Sequence, residues 1–176
     1  MRSIENKTII YIIDDDPIFL RILEKKFRDM SRFRIITFNT GEEFIDFLKK
    51  NSIPKNIFQI AITDYNFLNK VNTQINGIEL IKKIKKINPY IKIILTSSQD
   101  NKTIINKALS VDRETITFIP KNEDNFELFL DEVRYFVSEH TVKILRKRML
   151  ISQAVFFSTL IIGIIVLIYF KFIREI

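Results

Sequence analysis

Four short apolar runs in the 176-residue chain each end in side chains able to hold or move charge. TIIYII (Thr8 to Ile13) runs into Asp14, Asp15 and Asp16; IFQIAIT (Ile57 to Thr63) runs into Asp64; IKIIL (Ile91 to Leu95) reaches Thr96; TITFIP (Thr115 to Pro120) reaches Lys121. Three carboxylates at neighbouring strand ends suit a hard divalent cation, because Mg²⁺ takes oxygen ligands and keeps several of its waters. A DDD run is also a common solvated helix start, and Asp16 fits that role as the cap before Pro17. Other chemistries are excluded by composition. There is no cysteine for thiolate or disulfide chemistry, and the single His140 rules out a multi-histidine metal centre. Three glycines leave no room for a glycine-rich phosphate loop.

The elements that must position these groups follow from periodicity. Strands are expected at Thr8 to Asp14, Phe33 to Phe38, Ile57 to Thr63, Ile91 to Thr96 and Thr115 to Ile119, each rich in β-branched residues. Between them the apolar spacing predicts helices from Pro17 to about Met30, through EEFIDFLKK after Thr40-Gly41, from Gly77 to Ile87, over 101–110, and from Asp124 to Ser138. Five strands alternating with five helices predict an α/β fold, a doubly wound five-stranded parallel sheet covered on both faces. Ligands gather beyond the carboxyl ends of such strands. That rule brings Asp14, Asp15, Asp64, Thr96 and Lys121 to one place.

This set resembles the receiver domain of two-component response regulators, the chemotaxis-regulator-like form of the flavodoxin-like fold. IIDDDP resembles its acidic-pair motif, ITDYN its phosphoacceptor strand, ILTSS its Thr/Ser strand and FIPK its lysine strand. The resemblance implies that Asp64 is the phosphoacceptor, a carboxylate nucleophile forming an acyl phosphate by self-catalysed transfer. It implies Mg²⁺, with Mn²⁺ as an alternative, held by Asp15 directly, Asp14 through water, Asp64, and the backbone carbonyl of Asn66. Thr96 and Lys121 would contact the phosphoryl oxygens, and Thr96 with Phe118 would form the switch. Phe118 reads equally well as a plain core aromatic. The chain departs from the family pattern at Leu68, where proline is usual, in a longer polar stretch over 69–76, and at Pro120, which precedes Lys121 while Asn122 follows it.

The carboxy-terminal part is of another kind. From Met149 to Phe170 no residue is charged, and a helix of that length spans roughly 33 Å, enough for a hydrocarbon core of about 30 Å. Lys143, Arg146, Lys147 and Arg148 precede it, whereas Lys171 and Arg174 follow beside Glu175, so the amino-terminal side is expected in the cytoplasm. These six basic residues against one acidic account for +5 of the formal +7, leaving the body near neutral at +2. No nucleic-acid partner is therefore expected.

The division that results is a receiver at 1–140, a basic juxtamembrane helix extension at 141–148, a transmembrane helix at 149–170 and a short extracytoplasmic tail at 171–176. The expected location is the cytoplasmic membrane, single-pass. The expected partners are a histidine kinase or phosphotransfer protein, a downstream protein, the lipid bilayer, and a second copy brought close by the small-residue pair Thr159 and Gly163. The competing readings are a non-catalytic interaction module on the same fold and a phosphate sink. His140 is expected at a surface or interface rather than as a relay histidine.

Overall fold

The computed structural model describes residues 8–30, 33–54, 56–66, 76–98 and 102–174. Its elements are β1 (Thr8–Ile13), α1 (Pro17–Asp29), β2 (Arg34–Phe38), α2 (Gly41–Lys50), β3 (Phe58–Asp64), α3 (Gly77–Ile87), β4 (Lys92–Ser97), α4 (Lys102–Leu109), β5 (Ile116–Pro120) and α5 (Phe126–Arg174). The strands form one parallel sheet in the order β2-β1-β3-β4-β5. This is the flavodoxin-like receiver architecture, with a long apolar carboxy-terminal helix. Two compact units divide it, Met1–Val137 and Ser138–Ile176.

Strand alternation builds two cores. Ile9, Tyr11 and Ile13 of β1 point to the face covered by α2, α3 and α4, where they meet Phe44, Leu80, Ile81 and Ile104. Ile10 and Ile12 point to the opposite face, with Leu23 and Phe27 of α1 and Phe129 and Val133 of α5. The three central strands are buried along their whole length, as a parallel sheet with helices on both sides requires. The order reverses at β1 and β3, so the helices after those strands leave on opposite faces and open a crevice at the carboxyl ends.

Helix starts are locally encoded. The Asp16 carboxylate accepts from the backbone N–H groups of Ile18 and Phe19 at 2.9 and 3.3 Å, with Pro17 at the first helical position. Thr40 and Asn76 cap α2 and α3 in the same way, accepting from Glu43 and Glu79. The observed strand bounds differ from the expected ones by a residue or so. The last helix differs at its start, where Glu123–Asn125 form a 3₁₀ turn; from Phe126 α5 runs without a break through 141–148, where a helix extension is expected, to Arg174. No glycine or proline occurs between Lys121 and Gly163, so nothing in the sequence stops it.

The second unit is α5 beyond Val137. It is long and apolar enough to cross a membrane, and none of its most apolar window is buried within the protein. Ser158 and Thr159 donate their hydroxyls to the carbonyls of Val155 and Phe156, both at 2.8 Å, which satisfies them inside the helix.

Candidate phosphoacceptor site

The crevice assembles what the strand ends deliver. Ligand oxygens of Asp14, Asp15 and Asp64 lie within 4.8 Å of one another. Asp14 follows β1 and is fully buried; its carboxylate accepts from the Lys121 ammonium at 2.7 and 2.8 Å and from the Asp16 N–H at 2.8 Å. Lys121 Nζ also lies 3.5 Å from Asp64 Oδ2. Asp64 ends β3, 5% exposed, and its Oδ1 accepts from the Tyr65 N–H at 2.8 Å. Thr96 stands beside Asp64 in the β3–β4 register and is wholly buried. Asn66, Asp15 and Lys121 line the mouth of the crevice, flanked by Pro17 and Ile18 at the start of α1.

Backbone contacts hold these groups. Lys121 N–H donates to the Ser97 carbonyl at 2.9 Å, fixing the β5 end against β4. Tyr65 N–H also donates to the Thr96 carbonyl at 2.8 Å, tying the end of β3 to β4. Pro120 is the last residue of β5, and its carbonyl accepts from the Asn125 side chain at 2.9 Å. Phe118 is half-buried, in register with Leu95, and packs on the core beneath α3 and α4. Leu68 and positions 69–75 lie outside the described residues, while Asn76 of the longer stretch is the α3 cap.

Electrostatics show a site short of positive charge. Three carboxylates face one ammonium, a balance of −2. Burial pushes Asp14 up from 3.8 to about 6, against the hydrogen bond and charge of Lys121, with the Asp64 charge adding to the rise. Burial likewise lifts Asp64, again against Lys121, and the Asp15 charge adds to it. Burial alone would lower Lys121, but the Asp14 hydrogen bond and charge, then Asp64, hold it above the ordinary lysine value. Among the described residues, two buried side-chain oxygens have no hydrogen-bond partner: Asp15 Oδ2 and Thr96 Oγ1. Orphaned buried oxygens are costly, so both mark capacity held for something else. An all-oxygen donor set with spare lone pairs and excess negative charge fits Mg²⁺.

Two supports of the site were not foreseen from sequence. Gly77 opens α3 directly against the end of β3: a Cβ there would meet Tyr65 Cα at 2.7 Å and the Asp64 carbonyl at 2.8 Å, and its own N–H donates to Tyr65 O at 2.9 Å. Phe19 of α1 lies under Lys121, with the ammonium 4.6 Å from the ring centroid. The sequence signal for Gly77 was scarcity, one of only three glycines in the chain.

The sequence and the fold both have matches among known proteins. Residues 10–131 match the response regulator receiver domain family. The chain belongs to that family. Among solved structures, the signal receiver domain of an HD domain-containing protein from Pseudomonas fluorescens Pf-5 superposes with a TM-score of 0.61 at 16% identity, covering 77% of this chain and 98% of that one. The isolated receiver domain of RcsB from Salmonella enterica serovar Typhimurium, determined with the phosphomimetic BeF₃⁻, matches with a TM-score of 0.57 at 25% identity, over 74% of this chain and 89% of that one. Against a longer RcsB chain from Salmonella typhimurium, described for DNA interaction, the TM-score is 0.58 at 24% identity, over 77% of this chain but only 61% of RcsB. No curated protein sequence matches the chain. Receiver domains take a phosphoryl group from histidine kinases or phosphotransfer proteins, and they typically bind Mg²⁺ at an acidic pocket such as the one Asp14, Asp15 and Asp64 form here.

Proposed function

We propose that this receiver accepts a phosphoryl group on Asp64 from the phosphohistidine of a kinase or phosphotransfer protein, and that residues 149–170 hold it to the cytoplasmic face of a membrane. The observation that carries the first half is Lys121. Its ammonium reaches both Asp14 and Asp64 in a pocket that also contains two unpartnered oxygens.

The chemistry is a displacement at phosphorus. An Asp64 oxygen attacks; as the new P–O bond forms, the P–N bond breaks and its electron pair stays on the imidazole. Water later attacks the acyl phosphate, releasing inorganic phosphate and restoring the carboxylate. Little covalent work falls to the protein, so positioning and charge dominate. The Tyr65 N–H fixes the Asp64 carboxylate through Oδ1. Lys121 places a positive charge beside the attacking group, and Thr96 offers its buried hydroxyl to a phosphoryl oxygen. Asp15, Asp14 and Asp64, with the Asn66 carbonyl, would hold Mg²⁺. When bound, the ion neutralises the carboxylates and screens the incoming phosphoryl oxygens. Thr96 and Phe118 would then report the change to the α4–β5–α5 face, toward a downstream protein.

The membrane half rests on α5. Its apolar stretch is uncovered, its flanking basic residues favour an amino-terminal side in the cytoplasm, and the helix has no break between receiver and stretch. Proposed bounds are 1–140 for the receiver, 141–148 for the basic extension, 149–170 for the span and 171–176 for the outer tail.

The test uses the full chain in phospholipid vesicles with Mg²⁺ and acetyl phosphate. Intact mass should rise by one phosphoryl group, and Asp64→Ala should abolish the gain. A chain that forms no adduct under these conditions would instead be a non-catalytic interaction module. Release from vesicles by alkaline carbonate would overturn the anchor and leave the phosphoacceptor reading standing.

A further inference from the structure

α5 displays large apolar side chains that nothing among the described residues covers. In the receiver unit Leu128 and Tyr135 are exposed seven residues apart, whereas Phe129, Val133 and Phe136 of the same helix are buried. In the second unit Val142, Leu145 and Met149, the last of them opening the uncharged stretch, are 43%, 51% and 56% exposed. Their spacing of three and four residues is that of a coiled-coil seam.

The charged residues respect that seam. From Ser138 to Ser152 the a/d positions of this frame are Ser138, Val142, Leu145, Met149 and Ser152. Glu139, Lys143, Arg146, Lys147 and Arg148 all fall outside them, and each of the other six heptad frames places at least one of these five in its seam. Continued forward, the same frame takes Phe156, Thr159 and Gly163. The Thr159 hydroxyl is already satisfied within the helix, and a Cβ built on Gly163 would meet nothing within 4 Å. Small residues at such positions let two backbones approach closely in lipid.

We propose that this stripe, from Ser138 to Gly163, pairs with the same stripe of a second copy in a parallel two-stranded coil. Charge favours a second copy as the occupant. In a parallel pair each g position faces the e position of the next heptad on the other chain. By sequence, Arg134 falls opposite Glu139 of the second copy, Thr141 opposite Arg146, and Arg148 opposite Gln153. The first pair attracts and the others hold no like charges. One heptad earlier Glu127 would face Glu132, so the favourable register begins only past them. A lipid headgroup layer would draw the basic residues at 143, 146, 147 and 148, which all lie off the stripe, so it does not account for the apolar seam between them. The parallel direction rests on the membrane reading above, in which both copies enter the bilayer from one side.

The chain has no cysteine, so single cysteines report cleanly. Full-length Val142→Cys, Leu145→Cys and Met149→Cys in phospholipid vesicles should form disulfide-linked dimers several-fold faster under mild oxidation than Lys143→Cys or Lys147→Cys. Adding Leu145→Glu to Met149→Cys should abolish its dimer without releasing the chain from the vesicles. Equal rates at all five positions, or no dimer at any, overturns the pairing. Vesicle flotation reads the anchor separately, and the acetyl phosphate adduct reads Asp64 separately, so failure of the seam cannot be confused with failure of either.

Discussion

Two lysine–aspartate clusters, each built on a largely buried ammonium, sit at opposite ends of the same sheet, and they differ in what they leave unpaired. At the amino-terminal end Lys85 of α3 donates to the carbonyls of Pro89 and Ile91 at 3.1 and 2.7 Å and to the Thr115 hydroxyl, and lies 3.3 Å from Asp112. Thr115 in turn donates to Asp112; burial alone would raise that carboxylate, but the hydrogen bonds from Thr115 and Lys85, the Lys85 charge and the Glu114 N–H together hold it below its usual range. Lys92 donates to the Glu114 carbonyl at 2.8 Å and lies over the Phe136 ring. Every group that Lys85 gathers is satisfied, and the cluster ties the start of β4 to the loop before β5. At the carboxyl end Lys121 gathers more negative charge than it can balance, and two buried oxygens stay unpartnered. A saturated cluster supports structure, whereas an unsaturated one is held ready for a ligand.

The sharpest way to break this contrast is to remove each ammonium in turn. Lys121→Ala should slow phosphorylation by acetyl phosphate about 10²–10³-fold, the loss typical when one charge-stabilising donor is deleted. Lys85→Ala should leave that rate unchanged but cost about 1–3 kcal/mol of stability, because carbonyls, a hydroxyl and a carboxylate lose their partner. Mass spectrometry of the adduct and denaturant unfolding read the two effects. If Lys85→Ala slowed phosphorylation as much as Lys121→Ala, the two ends would not differ in kind.

A second contrast is pH. The Asp14 carboxyl titrates near 6 in the fold against 3.8 when exposed. The folded state therefore keeps its proton longer, and without a cation the receiver should lose stability as pH rises from about 4 to about 6. The loss is on the order of 3 kcal/mol, fully present above that window. Lys121 acts in the other direction: its raised value stabilises the fold below 10.5 and the benefit fades only above it. Mg²⁺ needs the carboxylates ionised, so its stabilisation should be large at pH 7.5 and small at pH 5. Thermal melts with Mg²⁺ and with chelator at both values check this. An equal Mg²⁺ effect at both would place the ion elsewhere.

Gly77 and Gly163 extend the comparison to backbone. Gly77→Ala drives a methyl into Tyr65 and the Asp64 carbonyl and should cost about 1–3 kcal/mol, as overpacking does, while displacing the acceptor strand. Gly163→Ala meets nothing within its own chain and should leave receiver unfolding unchanged. A Gly77→Ala chain with wild-type stability would show that the contact relaxes freely.

How much of this was legible beforehand follows from what each feature depends on. The strands were readable because both faces of the sheet are buried, which makes β1, β3 and β4 continuous β-branched runs. Asp14, Asp15, Asp64, Thr96 and Lys121 were brought together by one topological rule about strand ends, needing no side-chain detail. Gly77, Phe19 and the Lys85 cluster were not legible, because each depends on how close two elements come, which spacing along the chain does not encode. The 3₁₀ turn at Glu123–Asn125 was missed for the same reason: its carboxamide at Asn125 is drawn back to Pro120 O by the fold. The run of α5 past Ser138 was readable from the missing breakers, which is why a helix extension is expected at 141–148.

The smallest and most discriminating effect lies in two threonines. Thr96 Oγ1 is buried without a partner; the Thr115 hydroxyl accepts from Lys85 and donates to Asp112. Replacing each by valine keeps shape and removes only the hydroxyl. Thr115→Val should cost about 1–2 kcal/mol, since the Lys85 ammonium and the Asp112 carboxylate each lose one of their hydrogen-bond partners. Thr96→Val should instead raise stability by up to about 1 kcal/mol, because an oxygen that burial penalises has been taken away. The same substitution should slow phosphoryl transfer, for Thr96 then has no donor to offer an incoming oxygen. Opposite signs in unfolding, with the transfer defect confined to the stabilised variant, would separate stored binding capacity from structural saturation at the scale of one hydroxyl. A Thr96→Val chain that is destabilised would mean its oxygen has a partner in solution, and the contrast between the two ends would weaken accordingly.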